Sequence, residues 1–119
     1  MMHKDLKINN EIRCYMDPEY AEANKDKIIK INDRIMEGLK GTNVLDVRFD
    51  DIFYDGIQVS VMHKQFPGAV FVYVKLEKDF SNMERVIDEA IKLFKEKDTP
   101  EKVDSYMSFL DDITKYGSN

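Results

Sequence analysis

The residues with the clearest capacity for chemistry lie together in the segment FDDIFYDG, Phe49 to Gly56, which holds three aspartates. Grouped aspartates could hold a hard cation, because such ions take several oxygen ligands, or they could lie at the turn of a β-hairpin. The spacing differs from that of a calcium loop, in which acids alternate along the chain and a glutamate closes the site. The segment therefore predicts a hairpin, and we predict no metal site and no cofactor for this chain.

The hairpin prediction rests on Asp55-Gly56, a dipeptide typical of two-residue type I′ turns, whose central positions both take a positive φ. Cross-strand pairing around this turn places Ile52 and Tyr54 on the core face. The preceding strand, however, is predicted to bury its odd-numbered residues, whereas Ile52 and Tyr54 are even-numbered. A β-bulge at Asp50-Asp51 would reconcile the two halves; otherwise DIFYDG is a longer loop. In either case Phe53 points away from the core.

This hairpin is also a candidate surface for another molecule. It combines exposed acids with an aromatic side chain, and acidic surfaces speed the encounter with basic partners. We predict partner contacts from Asp50, Asp51, Phe53, Tyr54 and Asp55. The alternative is a hairpin with a purely structural role.

The remaining reactive side chains form no known catalytic motif. The chain has two histidines, His3 and His63, and one cysteine, Cys14. The serine elbow, the paired-histidine zinc motif and the phosphate-binding loop are missing from the sequence. A single cysteine can form neither an intramolecular disulfide nor a thiolate zinc cluster. We expect a half-buried His63, a buried Cys14 and no catalytic residue, so the protein is not expected to be an enzyme, although the sequence leaves this open.

The totals narrow the class of partner. A chain of 119 residues is near the common size of one domain, and its net charge is −5. This charge argues against nonspecific binding to nucleic acid and favours a protein partner, which could be basic. No apolar run approaches the ~18 residues of a membrane span, and the N-terminus lacks the apolar core of a signal peptide. We therefore predict a cytoplasmic protein without membrane association. The excess of lysine over arginine is typical of AT-rich genomes, such as those of low-GC bacteria and their phages.

The apolar periodicity predicts one α+β domain at residues 11–117, after a flexible N-terminal segment at residues 1–10. A short strand at 12–16 precedes a long helix, which begins at the Asp17-Pro18 cap and stops near Gly41. Strands are predicted at residues 43–50, 56–64 and 69–77, and further helices begin at Ser81 and at Thr99-Pro100. The order is (β)-α-β-β-β-α-α, with an antiparallel meander of three or four strands packed against amphipathic helices.

Three amphipathic helices exceed what one face of so small a sheet can cover. The last helix therefore crosses to the other face, or it meets a second copy of the chain. Met62, Phe71 and Tyr73 are predicted to lie on that second face. They are either covered within the monomer or form a homodimer or partner surface.

From these features we predict a small acidic non-catalytic binding protein that engages a protein partner. An inhibitor, an immunity-type protein or an accessory factor of a phage or mobile element would fit. The first alternative is a small-ligand binding protein or enzyme, with a pocket between sheet and helices or at a dimer seam. Its polar lining would be Tyr15, Arg48, His63 and Tyr73.

The second alternative is an RNA- or ribosome-associated factor. The order helix, three strands, helix resembles that of double-stranded-RNA-binding domains. Their basic start of the second helix is replaced here by SNMERVIDE, in which acids interleave with a single arginine. We therefore do not expect a nucleic-acid partner.

Overall fold

The computed structural model describes residues 2–117, with side chains at 2–115. Its elements are β1 (Lys4–Ile8), β2 (Ile12–Met16), α1 (Pro18–Ala23), α2 (Lys25–Gly38), β3 (Val44–Phe53), β4 (Gly56–His63), β5 (Val70–Glu77), α3 (Met83–Lys97) and α4 (Pro100–Gly117). Together they form one α+β domain. The element order agrees with the prediction, apart from one additional strand at the N-terminus and a division of the first helix.

The five strands form a single sheet in the order β1-β2-β3-β4-β5. β2 and β3 run parallel, whereas the other three neighbouring pairs are antiparallel. The prediction of a purely antiparallel meander is therefore corrected to a mixed sheet. The helical connection between β2 and β3 permits this pairing, because parallel neighbours need a crossover of this kind.

Strand β1 was missed because its sequence, KDLKI, is mostly polar. Residues 1–10 were predicted to be flexible; residue 1 lies outside the described residues, and Lys4–Ile8 pair along the whole of β2. Asn9 and Asn10 turn the chain between the two strands, with φ values of 56° and 61°. Asparagine tolerates this left-handed region better than most residues, so the tight turn is encoded locally.

The first predicted helix begins as expected and then breaks. The Asp17 carboxylate accepts a hydrogen bond from the Tyr20 N–H at 3.1 Å, and Pro18 occupies the first turn. Asn24 leaves helical geometry and separates α1 from α2. α2 ends at Gly38, where an added Cβ would collide with the Ile91 side chain of α3. A larger residue at this position would require the Ile91 side chain to move.

The core lies between one face of the sheet and the helices. Phe49, Val59 and Val74 are direct cross-strand neighbours on this face and are almost fully buried. α2 adds Ile28, Ile31 and Ile35, and α3 adds Val86, Ile87, Ala90 and Phe94. None of the described helices covers the other face of the sheet from β1 to β3, and this face bears alternating charged side chains, such as Arg13 in β2.

β-Bulges decide which side chains reach the core. One bulge in β3 falls between Val44 and Val47, so Val44 is buried and Leu45 is exposed, the reverse of the predicted parity. A second bulge, opposite the step from Val61 to Met62, places Phe71 as an extra residue in β5. Beyond each extra residue, the side chains of the strand point to the opposite face. A prediction based on strict two-residue alternation misses this change.

Phe71 therefore belongs to the core, and its predicted place on the second face is corrected. Its ring lies 5.3 Å from that of Phe94 and 5.3 Å from that of Tyr106 in α4. Met62 is also fully buried, whereas Tyr73 is 54% exposed. Of the predicted dimer or partner face, only Tyr73 thus remains open to another molecule.

Neighbouring residues of α3 provide a test of this packing. Phe94→Ala is expected to lower the free energy of unfolding by about 3–5 kcal/mol, because it leaves a cavity among buried rings. Leu93→Ala, one residue earlier and 39% exposed, is expected to change it by less than about 1 kcal/mol. Urea denaturation measures both. Equal effects would contradict the orientation of α3 on the sheet.

Candidate functional site

The predicted hairpin is present, but its turn is shifted by one residue. Phe53 pairs with Gly56, so Tyr54 and Asp55 form the turn, and neither has a positive φ. The prediction of a type I′ turn at Asp55-Gly56 is therefore wrong. Gly56 is needed for another reason, since an added Cβ would lie 2.9 Å from the Leu76 carbonyl oxygen of β5. The predicted β-bulge is found, between Asp50 and Phe53.

The acids of the hairpin are less available than the sequence suggests. The Asp50 and Asp51 side chains are 13% and 7% exposed. Asp51 contacts His3 Nε2 at 2.7 Å and Lys78 Nζ at 3.0 Å, which joins the N-terminal segment to the end of β5. The tip keeps Tyr54 and Asp55 exposed, and Asp55 pairs with Lys75 at 2.7 Å. A partner role for this hairpin stays a prediction.

The four residues of the predicted ligand pocket do not meet. His63 faces the helices and is 1% exposed. Tyr15, Arg48 and Tyr73 lie on the other face of the sheet, in β2, β3 and β5. Arg48 and Tyr73 both pair with Ser60, from opposite sides of β4. The sheet itself therefore separates His63 from the rest of the set.

His63 is held in a closed network. Its Nε2 lies 2.8 Å from Asp98 Oδ1, and its Nδ1 accepts the Gln65 N–H at 3.1 Å. An acceptor role for Nδ1 places the proton of the neutral ring on Nε2, which donates to Asp98. The ring also lies 4.7 Å from Phe71 and 5.9 Å from Phe94. Both ring nitrogens are thus engaged inside the protein, which suits a structural role rather than proton transfer.

Cys14 is equally unsuited to chemistry. It is buried, and burial together with the nearby Asp50 carboxylate raises the pKa of its thiol to about 12. The thiolate is the reactive form of cysteine, so this thiol is a poor nucleophile. Within residues 2–115, no three His, Cys, Asp or Glu side chains converge on a point where a metal ion could bind. None of the described helices has the length and apolar character needed to cross a membrane.

A cleft of about 650 Å³ lies at the edge of the sheet, where β5, α3 and α4 meet. Its walls include Val72, Tyr73, Leu93, Lys97, Lys102 and Tyr106. Val103 and Tyr106 join the first half of α4 to the body, whereas Met107, Phe109 and Ile113 further along are 43%, 57% and 51% exposed. The cleft therefore opens along a helix whose apolar side chains are incompletely covered.

Lys97 forms the fixed polar end of this cleft. Its Nζ donates to the Phe71 carbonyl at 2.7 Å and lies over the rings of Phe71 and Tyr106, at 4.8 and 4.5 Å. Burial lowers the pKa of this ammonium group. The two rings and the carbonyl together stabilise this position of the Lys97 ammonium group at the end of the cleft.

The main chain of Tyr73 is unpaired at the outer edge of β5. The Phe71 and Lys75 carbonyls, on either side, accept from Lys97 Nζ and from Asn82 Nδ2, which are not part of the sheet. Main-chain groups alternate between the two sides of a strand, so the Tyr73 N–H and C=O also point away from β4. Among the described residues, no side chain bonds to either group. One free donor and one free acceptor therefore border the cleft.

Comparison of the chain with protein-family models, with curated proteins and with solved structures gave no match. The cleft must therefore be interpreted from its own chemistry. Sequence reasoning missed it because its walls come from three separate elements. The signal available was the surplus apolar side of the last helix, together with Tyr73.

The network at His63 yields a prediction about stability and pH. Burial alone would raise the pKa of Asp98, but hydrogen bonds from Asn43 and His63 outweigh this and hold it below the usual range. A carboxyl with a lowered folded-state pKa stabilises the fold above about pH 4, and this contribution is lost as the pH falls through the folded-state value.

Asp98→Asn is therefore expected to lower the free energy of unfolding by about 1–3 kcal/mol at neutral pH, with a smaller difference at pH 3. Asp88→Asn, an exposed change on α3, the helix that Asp98 follows, is the matched control and is expected to have little effect. Denaturant titrations across this pH range provide the measurement. A pH-independent difference would show that the Asp98 charge does not contribute.

Proposed function

We propose that this chain is a small non-catalytic protein-binding domain that captures an extended, apolar segment of a partner along the edge of β5. The observation that carries the proposal is the unpaired main chain of Tyr73 beside an apolar cleft. Addition of a strand to an open sheet edge uses these two elements together. Main-chain hydrogen bonds supply affinity, and a pocket beside the edge supplies specificity for alternate side chains.

The main-chain part of the site is short and bounded. Lys97 and Asn82 occupy the edge carbonyls of Phe71 and Lys75, and they protect the edge from uncontrolled pairing with other strands. Between them the Tyr73 N–H and C=O can bond to one residue of an incoming strand. Such a limited edge suits the reversible binding of a short segment.

The side-chain part is larger. In an added strand, alternate residues point to the same side, so a residue next to the one bonded to Tyr73 would enter the cleft beside Val72 and Leu93. Tyr106, Phe109 and Ile113 follow one another at spacings of three and four along α4 and so lie on one side of the helix. They extend the apolar wall beyond the cleft, and a partner segment could bury them.

The charged side chains around the cleft include both signs and favour neither an acidic nor a basic segment. Lys102 lies on the α4 wall and is exposed, and Glu96 provides one opposing charge on α3. Lys97 Nζ already donates to the Phe71 carbonyl, so it contributes only its charge. An inhibitor, an immunity-type protein or an accessory factor could each use such a site. It differs from the hairpin site predicted from the sequence.

Selection of short random peptides displayed on phage against the purified domain tests this proposal. We expect enrichment of peptides with alternating apolar residues. A selected peptide should protect the Tyr73 amide from hydrogen exchange, since that N–H becomes bonded in an added strand. Leu93→Glu should weaken its binding at least about tenfold, because a charge would be buried against the apolar segment.

Ile52→Glu, at the exposed tip of the hairpin, is the matched control and is expected to leave the affinity unchanged. Three outcomes would contradict the proposal: no enriched peptide, peptide binding that depends on Ile52 rather than Leu93, or protection that omits Tyr73. A fourth contradicting outcome would come from sedimentation analysis. If the wild type forms a stable dimer that Leu93→Glu dissociates, the cleft binds a second copy of the chain.

A further inference from the structure

Three basic side chains form one row on the sheet face that carries no helix. Lys7 in β1 lies opposite Arg13 in β2, and Arg13 lies opposite Arg48 in β3. Like charges in directly opposed positions destabilise a sheet. The chain as a whole has a net charge of −5, so a row of three basic side chains is unusual here, and the fold itself does not require it.

The acids nearby compensate the row only in part. Arg13 reaches Asp46 at 3.4 Å and Arg48 reaches Asp50 at 3.5 Å, in each case through one guanidinium nitrogen at a long distance. Arg48 Nε is shielded from solvent and has no hydrogen-bond partner. A buried donor on a cation without an acceptor is costly, so this guanidinium is not satisfied by the protein alone.

These groups border a cleft of about 380 Å³. Asp5, Lys7, Arg13, Arg48 and Asp50 line it, with Leu6 and Cys14 also contributing. With all five side chains ionised, its net charge is positive, opposite in sign to that of the whole chain. Burial raises the pKa of Asp50 despite the lowering effect of the nearby Arg48.

We propose that this cleft is a binding site for a small oxyanion, the phosphate or carboxylate group of a low-molecular-weight ligand, bound between Arg13 and Arg48. Adjacent strands are about 4.8 Å apart, so one oxyanion can contact both guanidinium groups. Planar guanidinium groups match carboxylate and phosphate oxygens in paired hydrogen bonds. The bound anion would replace Asp46 and Asp50 as acceptor and remove the repulsion along the row.

The cleft is distinct from the proposed peptide site, which lies at the opposite edge of the sheet. The cleft between Arg13 and Arg48 is small enough to hold a single phosphate or carboxylate group. The acids Asp5, Asp46 and Asp50 interrupt the basic surface on both sides of the row, so a nucleic-acid strand would meet repulsion on leaving the cleft. A small ligand avoids these acids, and the observations therefore favour it over single-stranded RNA.

Titrations with inorganic phosphate and with acetate, followed by the amide signals of residues 13 and 48 in NMR spectra, test this proposal. At least one anion is expected to bind, and the tighter of the two assigns the ligand to phosphate esters or to carboxylic acids. Arg48→Gln should weaken binding by about tenfold, since it removes a charged hydrogen-bond donor. Asp50→Asn should strengthen binding, because it removes a carboxylate that competes for Arg48.

Arg85→Gln is the matched control, since Arg85 is an exposed arginine of α3 paired with Glu89 at 3.2 Å. It is expected to leave anion binding unchanged. Three results would overturn the proposal: no response to either anion, equal losses in Arg48→Gln and Arg85→Gln, or weaker binding in Asp50→Asn. Binding of a single-stranded RNA oligonucleotide without any response to the free anions would overturn it as well.

Discussion

The hydrogen bond between His63 and Asp98 fixes the point where β4, α3 and α4 meet. It joins the end of β4 to the residue after α3, just before the chain turns into α4. Asp98 also accepts from the Asn43 N–H at 3.1 Å, so the start of β3 is held at the same point. The rings of Phe71, Phe94 and Tyr106 pack around this junction, and they set the position from which α4 leaves the body.

Both proposed sites follow from how this junction distributes the helices. α2 and α3 cover one face of the sheet, and the described side chains of α4 that pack on the core are Val103, Tyr106 and Leu110. An apolar cleft therefore remains at the β5 edge, and the opposite face at β1 to β3 remains uncovered. The first surface offers main-chain groups and apolar walls to a peptide. The second offers two arginines, whose mutual repulsion is incompletely balanced by Asp46 and Asp50.

Most elements could be predicted because their signals are local. The capping aspartate Asp17, the proline at the start of α1 and the apolar stripe of α3 each depend on residues a few positions apart. The errors arose where a distant part of the chain decides the outcome. β1 is ordered by its pairing with β2, and the parallel pairing of β2 with β3 follows from the helical crossover. The extra residue at Phe71 reverses a face that simple alternation assigned to the exterior.

Local sequence patterns were enough to predict the α+β class, the order of the main elements, and the hairpin with its bulge after Asp50, and they include no known catalytic motif. The sequence also marked Arg48 and Tyr73 as polar residues of interest, but placed them in one pocket with His63. The folded structure places His63 in the core, Arg48 beside one cleft and Tyr73 beside another. The physical reason is that a sheet has two faces and an edge, and residues far apart in sequence become neighbours through strand pairing and register. One added residue in a strand moves a side chain from a binding surface into the core.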